Sequence, residues 1–218
     1  MILIKKGPEP HQLRNYRCQS GACYADMPKD VKELLLEALR VEQHGLCAYC
    51  TCRIPEESAK DRGQKPMTIE HVYPQHPLNG EPKEGWDLLY SNMHAVCSGN
   101  RGCGSGKALT CDAAKGDSII RLNPCDEAII AQIHYRADGT IYSDNVELNA
   151  ELTNVLNLNC HERSLPQNRR AVLIAIQKKL SGNTHFRKAC KQYLDNLIEN
   201  PTPFCGYAIE WLRKKLAK

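Results

Sequence analysis

The chain has 218 residues with a formal net charge of +4, and apolar side chains make up 42% of it. That excludes a disordered charged tail, and with only 6% aromatics the core must be built mainly of Leu, Ile, Val and Ala. No apolar run approaches the roughly 18 residues of a membrane span, and MILIKKGPEP lacks a long apolar stretch with a cleavage site, so the expectation is a cytoplasmic protein with no membrane contact.

In chain order, Pro28 to Gly45 reads as a helix, because Val31, Leu34, Leu35, Ala38 and Leu39 fall at helical spacing and Gly45 can end it. The knuckle Cys47-Ala48-Tyr49-Cys50 follows, and then a polar, Pro- and Gly-containing stretch from Ile54 to Met67 that predicts an exposed loop. Thr68 to Tyr73 alternates and is β-branched, which predicts a short strand. Trp86 to Tyr90 is a candidate second strand, with Trp86 in the core. The glycines between Ser98 and Thr110 predict irregular backbone, and Cys111 to Gly116 can start a helix with Asp112 in its first turn.

Farther on, Ile129–Tyr135 and Thr140–Tyr142 flank Ala137-Asp138-Gly139, a hairpin pattern. The remainder reads as helices over Asn149–Leu156, Leu165–Leu180, His185–Glu199 and Phe204–Leu216. Charge is uneven. From Glu151 onward there are twelve Lys/Arg against five Asp/Glu, which suits an anionic partner such as nucleic acid and equally suits solvated helix faces.

Twelve cysteines in a reducing compartment point to metal before disulfides. A C-x-x-C knuckle offers two thiolates to a tetrahedral metal, and zinc wants four. Cys47 and Cys50 therefore need a second pair from Cys97, Cys103 and Cys111. Cys97 and Cys111 are chosen, with Cys103 able to replace either. The other seven, Cys18, Cys23, Cys52, Cys125, Cys160, Cys190 and Cys205, are read as small buried hydrophobes.

Between the cysteine groups lies Thr68-Ile69-Glu70-His71-Val72-Tyr73-Pro74. On a regular strand Glu70 and His71 point to opposite sides, and a carboxylate beside a histidine at a strand end can divide labour between a metal and a proton. Asn92, Cys97 and then Cys111-Asp112-Ala113-Ala114-Lys115-Gly116 follow. His94 and His76 are read as surface or packing residues. Lys115, three residues past Asp112, is either a phosphate contact or a surface lysine.

This order, C-x-x-C, acid-His-x-x-Pro, Asn-x-x-x-x-Cys and Cys-Asp-x-x-Lys-Gly, resembles the HNH endonucleases over about residues 45–117. Gly7–Pro10, Glu42–Cys50, Glu70-His71 and Cys111–Asp117 together are similar to a subgroup, the PtuB-like HNH proteins of retron- and Septu-type phage defence. The resemblance implies an α+β fold, mainly helical, with a central ββα-metal core, a zinc knuckle and a small hairpin. It divides the chain into a segment 1–44 suited to partner docking, an HNH core at 45–120, and a hairpin and helical region at 121–218. It implies an endonuclease in which His71 is the general base, Glu70 and Asp112 hold one Mg²⁺ or Mn²⁺, Asn92 restrains the loop or His71, Lys115 contacts substrate, and Zn²⁺ on Cys47, Cys50, Cys97 and Cys111 is structural. Glu70 and Asp112 depart from the more usual Asp and Asn or His of the family, yet both are hard-oxygen ligands for magnesium. The implied partners are a nucleic-acid substrate, DNA by family default with RNA such as tRNA open, and an ABC-type ATPase of the PtuA kind, with retron reverse transcriptase and its nucleic acid as further associates. Two rival readings are a non-catalytic zinc module that binds nucleic acid or protein, and a scaffold for the ATPase.

Overall fold

A computed structural model describes residues 1–54, 67–103 and 106–217. The expected exposed loop between Ile54 and Met67 lies outside them except for its two end residues. The architecture is mixed: eight α-helices and two small antiparallel sheets among the described residues. No described helix is long and apolar enough to cross a membrane.

The first helix, α1 (His11–Arg17), is too short to announce itself by periodicity; it buries Leu13 and Tyr16 against the next element. That element, α2 (Lys29–Glu42), lies where helical spacing places it and buries Leu35 and Leu39. Its C-terminal end anchors the chain start: Glu42 accepts hydrogen bonds from Lys6 Nζ, Gly7 N and Tyr90 Oη.

The first sheet pairs β1 (Thr68–His71) with β2 (Met93–Val96), Glu70 facing His94 and His71 facing Met93 in register. Trp86–Tyr90, expected as the second strand, is instead a chain of turns. Gly85 adopts φ +72°, Trp86 N bonds back to Lys83 O and Leu89 N to Trp86 O, and Tyr90–Asn92 forms a 3₁₀ turn before the strand begins. Trp86 is correspondingly at the surface, 38% exposed, and not in the core. The short helix α3 (Asp112–Lys115) then packs beside β1 through Lys115, whose ammonium bonds to His71 O.

Beyond the sheet, Asp126 caps a short helix α4 (Glu127–Ile130) by accepting from Ala128 N and Ile129 N. That helix takes Ile129 and Ile130 of the expected hairpin arm and a turn follows, leaving β3 (His134–Tyr135) to pair with β4 (Ile141–Tyr142). Asn145 caps α5 (Val146–Ala150), which runs on as a π-helical turn over Glu151–Val155. The helices α6 (Leu165–Leu180), α7 (Phe186–Glu199) and α8 (Gly206–Leu216) match the amphipathic pattern and bury a second apolar cluster including Leu173, Leu180, Leu197 and Leu212. Buried Arg169 ties α6 to the hairpin and the preceding loop by donating to Gly139 O and Leu158 O. Of the seven cysteines read as buried hydrophobes, Cys160, Cys190 and Cys205 are buried, Cys23, Cys52 and Cys125 are partly exposed and Cys18 is exposed.

Candidate metal centre and the adjoining polar site

The knuckle is a tight turn in which Thr51 N bonds to Cys47 O and Cys47 N bonds to Cys52 O. Two links fasten it to β2. Ala48 N donates to Ala95 O, and buried Gln43 behaves like an extra strand residue, its amide donating to Ala95 O and Leu46 O while accepting from Ala95 N. This brings Cys97, one residue past β2, over the knuckle.

Cys111 arrives by a second device. Thr110 N bonds to Gly99 O, and the two backbones approach so closely that a Cβ on Gly99 would lie 2.1 Å from Thr110 O. Gly99 also sits at φ +56°, a region glycine enters without steric cost.

The four sulfurs of Cys47, Cys50, Cys97 and Cys111 lie within 4.8 Å of one another and are all buried. Individual separations are 3.9 Å for Cys47–Cys111, 3.7 Å for Cys50–Cys97 and 3.8 Å for Cys97–Cys111. Thiolates placed around zinc at 2.3 Å define a tetrahedron with edges of about 3.8 Å, so the cluster could hold a metal such as zinc. Cys103, the alternative ligand, is exposed and outside the group. Hydrogen bonding from neighbouring thiols, Cys111 first, pulls Cys50 and Cys97 below the ordinary thiol range, while burial pushes Cys47, and bonding with Cys47 pushes Cys111, above it. Arg163 donates to Cys97 Sγ at 3.4 Å and also to Thr110, placing a cation where bound thiolates would concentrate negative charge.

The polar site lies on the other side of these same elements. Glu70 is buried; its Oε1 accepts from Tyr49 Oη of the knuckle at 2.8 Å and pairs with Lys115 Nζ at 2.8 Å. Burial, then hydrogen bonding with Asp112, pushes the Glu70 carboxyl up to about 8, against the opposing pull of Lys115. Asp112, at the start of α3, also bonds to Arg101 at 3.1 Å. Lys115 is neither at the surface nor open to a phosphate: it is buried, with Glu70, His71 O and Gly116 O around its ammonium.

His71 faces away from Glu70. Its Nε2 donates to Asp87 O at 2.9 Å, and because a carbonyl only accepts, that nitrogen carries the proton. Nδ1 therefore holds the lone pair, 3.1 Å from the Gln75 amide. Burial holds the ring below the ordinary imidazole value, and the Asp112 charge acts on it from α3. Tyr24, from the segment between α1 and α2, packs edge-on against the His71 ring at 4.6 Å, and its own N–H donates to the Asp87 carboxylate.

Asn92 is buried and restrains the 73–86 loop. Its Oδ1 accepts from Tyr73 N, and its Nδ2 donates to Tyr73 O and Trp86 O. His94 is a packing residue, fully buried against Cys125 with Nε2 3.2 Å from the sulfur. His76 lies exposed on the loop.

Among the described residues the four cysteines are the only group of three or more His, Cys, Asp or Glu side chains placed to hold a metal. Glu70 and Asp112 stand beside it as a carboxylate pair. Tyr24, Asp87, Gly99 and Arg163 carry no signal in the local sequence, because each acts through a contact made farther along the chain; Gln75, four residues past His71, stands in a loop without a pattern. Set against known proteins, the chain matches no family model and no curated protein.

Proposed function

We propose that the chain is a metal-dependent endonuclease of the HNH type that hydrolyses nucleic-acid phosphodiester bonds. The observation that carries this reading is His71 at the end of β1: Nε2–H is fixed on Asp87 O, which leaves Nδ1, bonded to the Gln75 amide, as the basic atom. Glu70, its strand neighbour facing the other way, interacts with Asp112 of α3, and the cysteine cluster joins these elements.

In this reading His71 Nδ1 takes the proton from a water that displaces or joins the Gln75 amide. The Nε2–H···O=C bond to Asp87 fixes the tautomer and stabilises the charge the ring then gains. Tyr24 shields one edge of the ring from bulk water. Glu70 and Asp112 are the residues that would hold one Mg²⁺ or Mn²⁺, which would neutralise the scissile phosphate and stabilise the leaving oxygen when bound. Lys115 acts as a positioning residue: its ammonium keeps Glu70 and the end of β1 in register. Four thiolates leave no open position, so zinc on them would be structural.

The motif resemblance supports a role beside an ABC-type ATPase in retron- or Septu-type antiphage defence, with DNA as the first candidate substrate and RNA the second. One observation favours a different reading. Glu70 is already satisfied by Tyr49 and Lys115, which suits a non-catalytic zinc module that binds nucleic acid or scaffolds the ATPase. Incubating the protein, alone and with its ATPase partner, with plasmid, single-stranded DNA and total RNA separates the two. Magnesium-dependent cleavage of any of these is the expected result; intact substrates in every arm would overturn the nuclease reading.

A further inference from the structure

Three side chains on the 73–86 loop, exposed Lys83 and Trp86 and half-buried Tyr73, form a surface group that the chemistry above does not use. Tyr73 and Trp86 meet edge to face with ring centroids 5.4 Å apart. Lys83 Nζ lies 4.0 Å from both centroids. Trp86 remains 38% exposed although its neighbour Leu88 is buried. A large aromatic left at the surface loses the benefit of apolar burial, so its rigidity matters to what it can do.

The group is held rigidly. The single buried side chain of Asn92 bonds the backbone of both aromatic residues, at Tyr73 N, Tyr73 O and Trp86 O. Tyr73 Oη further donates to Glu81 O, closing the loop on itself. The same loop is tied to His71. Tyr73 follows it by two residues, and Asp87, next to Trp86, supplies the carbonyl that fixes its tautomer. The aromatic pair is therefore registered to the candidate base by short covalent and hydrogen-bonded links.

A part-exposed indole with a tyrosine edge-on to it and a lysine ammonium over both rings matches one ligand chemistry. Nucleobases stack on aromatic side chains with little regard to sequence, and a lysine beside the rings meets the backbone phosphate. In a duplex the base faces are covered by their neighbours, so such a platform selects unpaired nucleotides.

We propose that Tyr73, Lys83 and Trp86 form a stacking site for an unpaired nucleobase, set beside the phosphodiester that His71 would act on. The preferred substrate is then single-stranded or locally unpaired nucleic acid. The first half of this proposal stands on the loop alone; the second rests on the nuclease reading.

The test uses the full chain in magnesium-free buffer. With Trp211→Phe, Trp86 is the one remaining tryptophan of two. Short single-stranded DNA and RNA of mixed sequence, and a duplex of the same sequence, are titrated while its emission is followed. Quenching by one or both single strands, with affinity about tenfold above that for the duplex, is expected from the usual size of base–aromatic stacking. Trp86→Ala, followed by anisotropy of a labelled strand, should lose about tenfold in affinity, and Trp86→Phe should recover most of it. No quenching by either strand, or wild-type affinity in a folded Trp86→Ala, overturns the platform. The two readings fail separately. Single-strand binding through Trp86 without cleavage in magnesium keeps the platform and removes the nuclease. Cleavage with the same KM for single strands in Trp86→Ala as in wild type keeps the nuclease and removes the platform.

Discussion

At the level of single residues, His71 is the group to which the proposed chemistry is assigned. Its two nitrogens have different partners, and the carbonyl at Nε2 leaves Nδ1 as the basic atom. Burial disfavours the imidazolium, so the folded-state pKa lies below the ordinary 6.5. In the proposed mechanism the neutral ring is the active form, and it persists as pH falls through 6.5 and is lost only below it. The acid limb of a kcat/KM profile should accordingly lie below pH 6.5, and a limb at or above that value would contradict the environment described for the ring. Lys115 gives a different lesson. Spacing placed it one helical turn from Asp112 and suggested a solvent-facing side chain, yet its ammonium is buried against Glu70. A lysine is buried only when a partner compensates its charge, and that partner lies 45 positions away in sequence, beyond the reach of local pattern.

At the level of elements, long amphipathic helices were legible. For α2 and α6 the apolar spacing locates the helix, and for α6, α7 and α8 the Ser181-Gly182-Asn183 and Pro201-Thr202-Pro203 breaks separate the helices, although Leu34, placed on the apolar face of α2, is exposed. The short elements were not. Turn hydrogen bonds over Lys83–Asn92 override the β-like pattern of Trp86–Tyr90, and the Asp126 cap turns the start of a hairpin arm, Ile129 and Ile130, into helix. The cysteine ligands were legible because thiol spacing is restrictive, while the choice between Cys97 and Cys103 needed the fold. That choice depends on Gly99, which lets the segment after β2 pass against Thr110. In Gly99→Ala the left-handed φ alone costs about 1–2 kcal/mol, before the clash with Thr110 O is added. The variant should hold clearly less than one zinc per chain by mass spectrometry or a chelator-dye assay; full zinc content would show that Gly99 does not set the approach of Cys97 and Cys111.

At the level of the whole molecule, the cysteine cluster is a hub. Cys47 and Cys50 follow α2, Cys97 ends the β1–β2 sheet, and Cys111 begins α3. The knuckle also receives the C-terminal half, through Phe204 N on Thr51 O and Arg163 on Cys97. Because metal binding and folding are linked, stripping zinc with a strong chelator should lower the melting temperature by well over 10 °C, since structural zinc contributes many kcal/mol. An unchanged melting curve would remove the structural role. The segment from 1 to 44 has a similar reach: Lys6 and Gly7 bind the end of α2, and Tyr24 covers His71. It takes part in the candidate site.

The proposed role of His71 as a general base, on a scaffold whose four cysteines could hold zinc, is open to direct measurement. The direct measurement compares wild type with His71→Ala at equal zinc content and equal melting temperature, following cleavage of a labelled nucleic acid in magnesium. Loss of cleavage by a hundredfold or more, in line with the usual contribution of a general base, is the predicted result. Retained wild-type cleavage in a zinc-loaded, folded His71→Ala would contradict it.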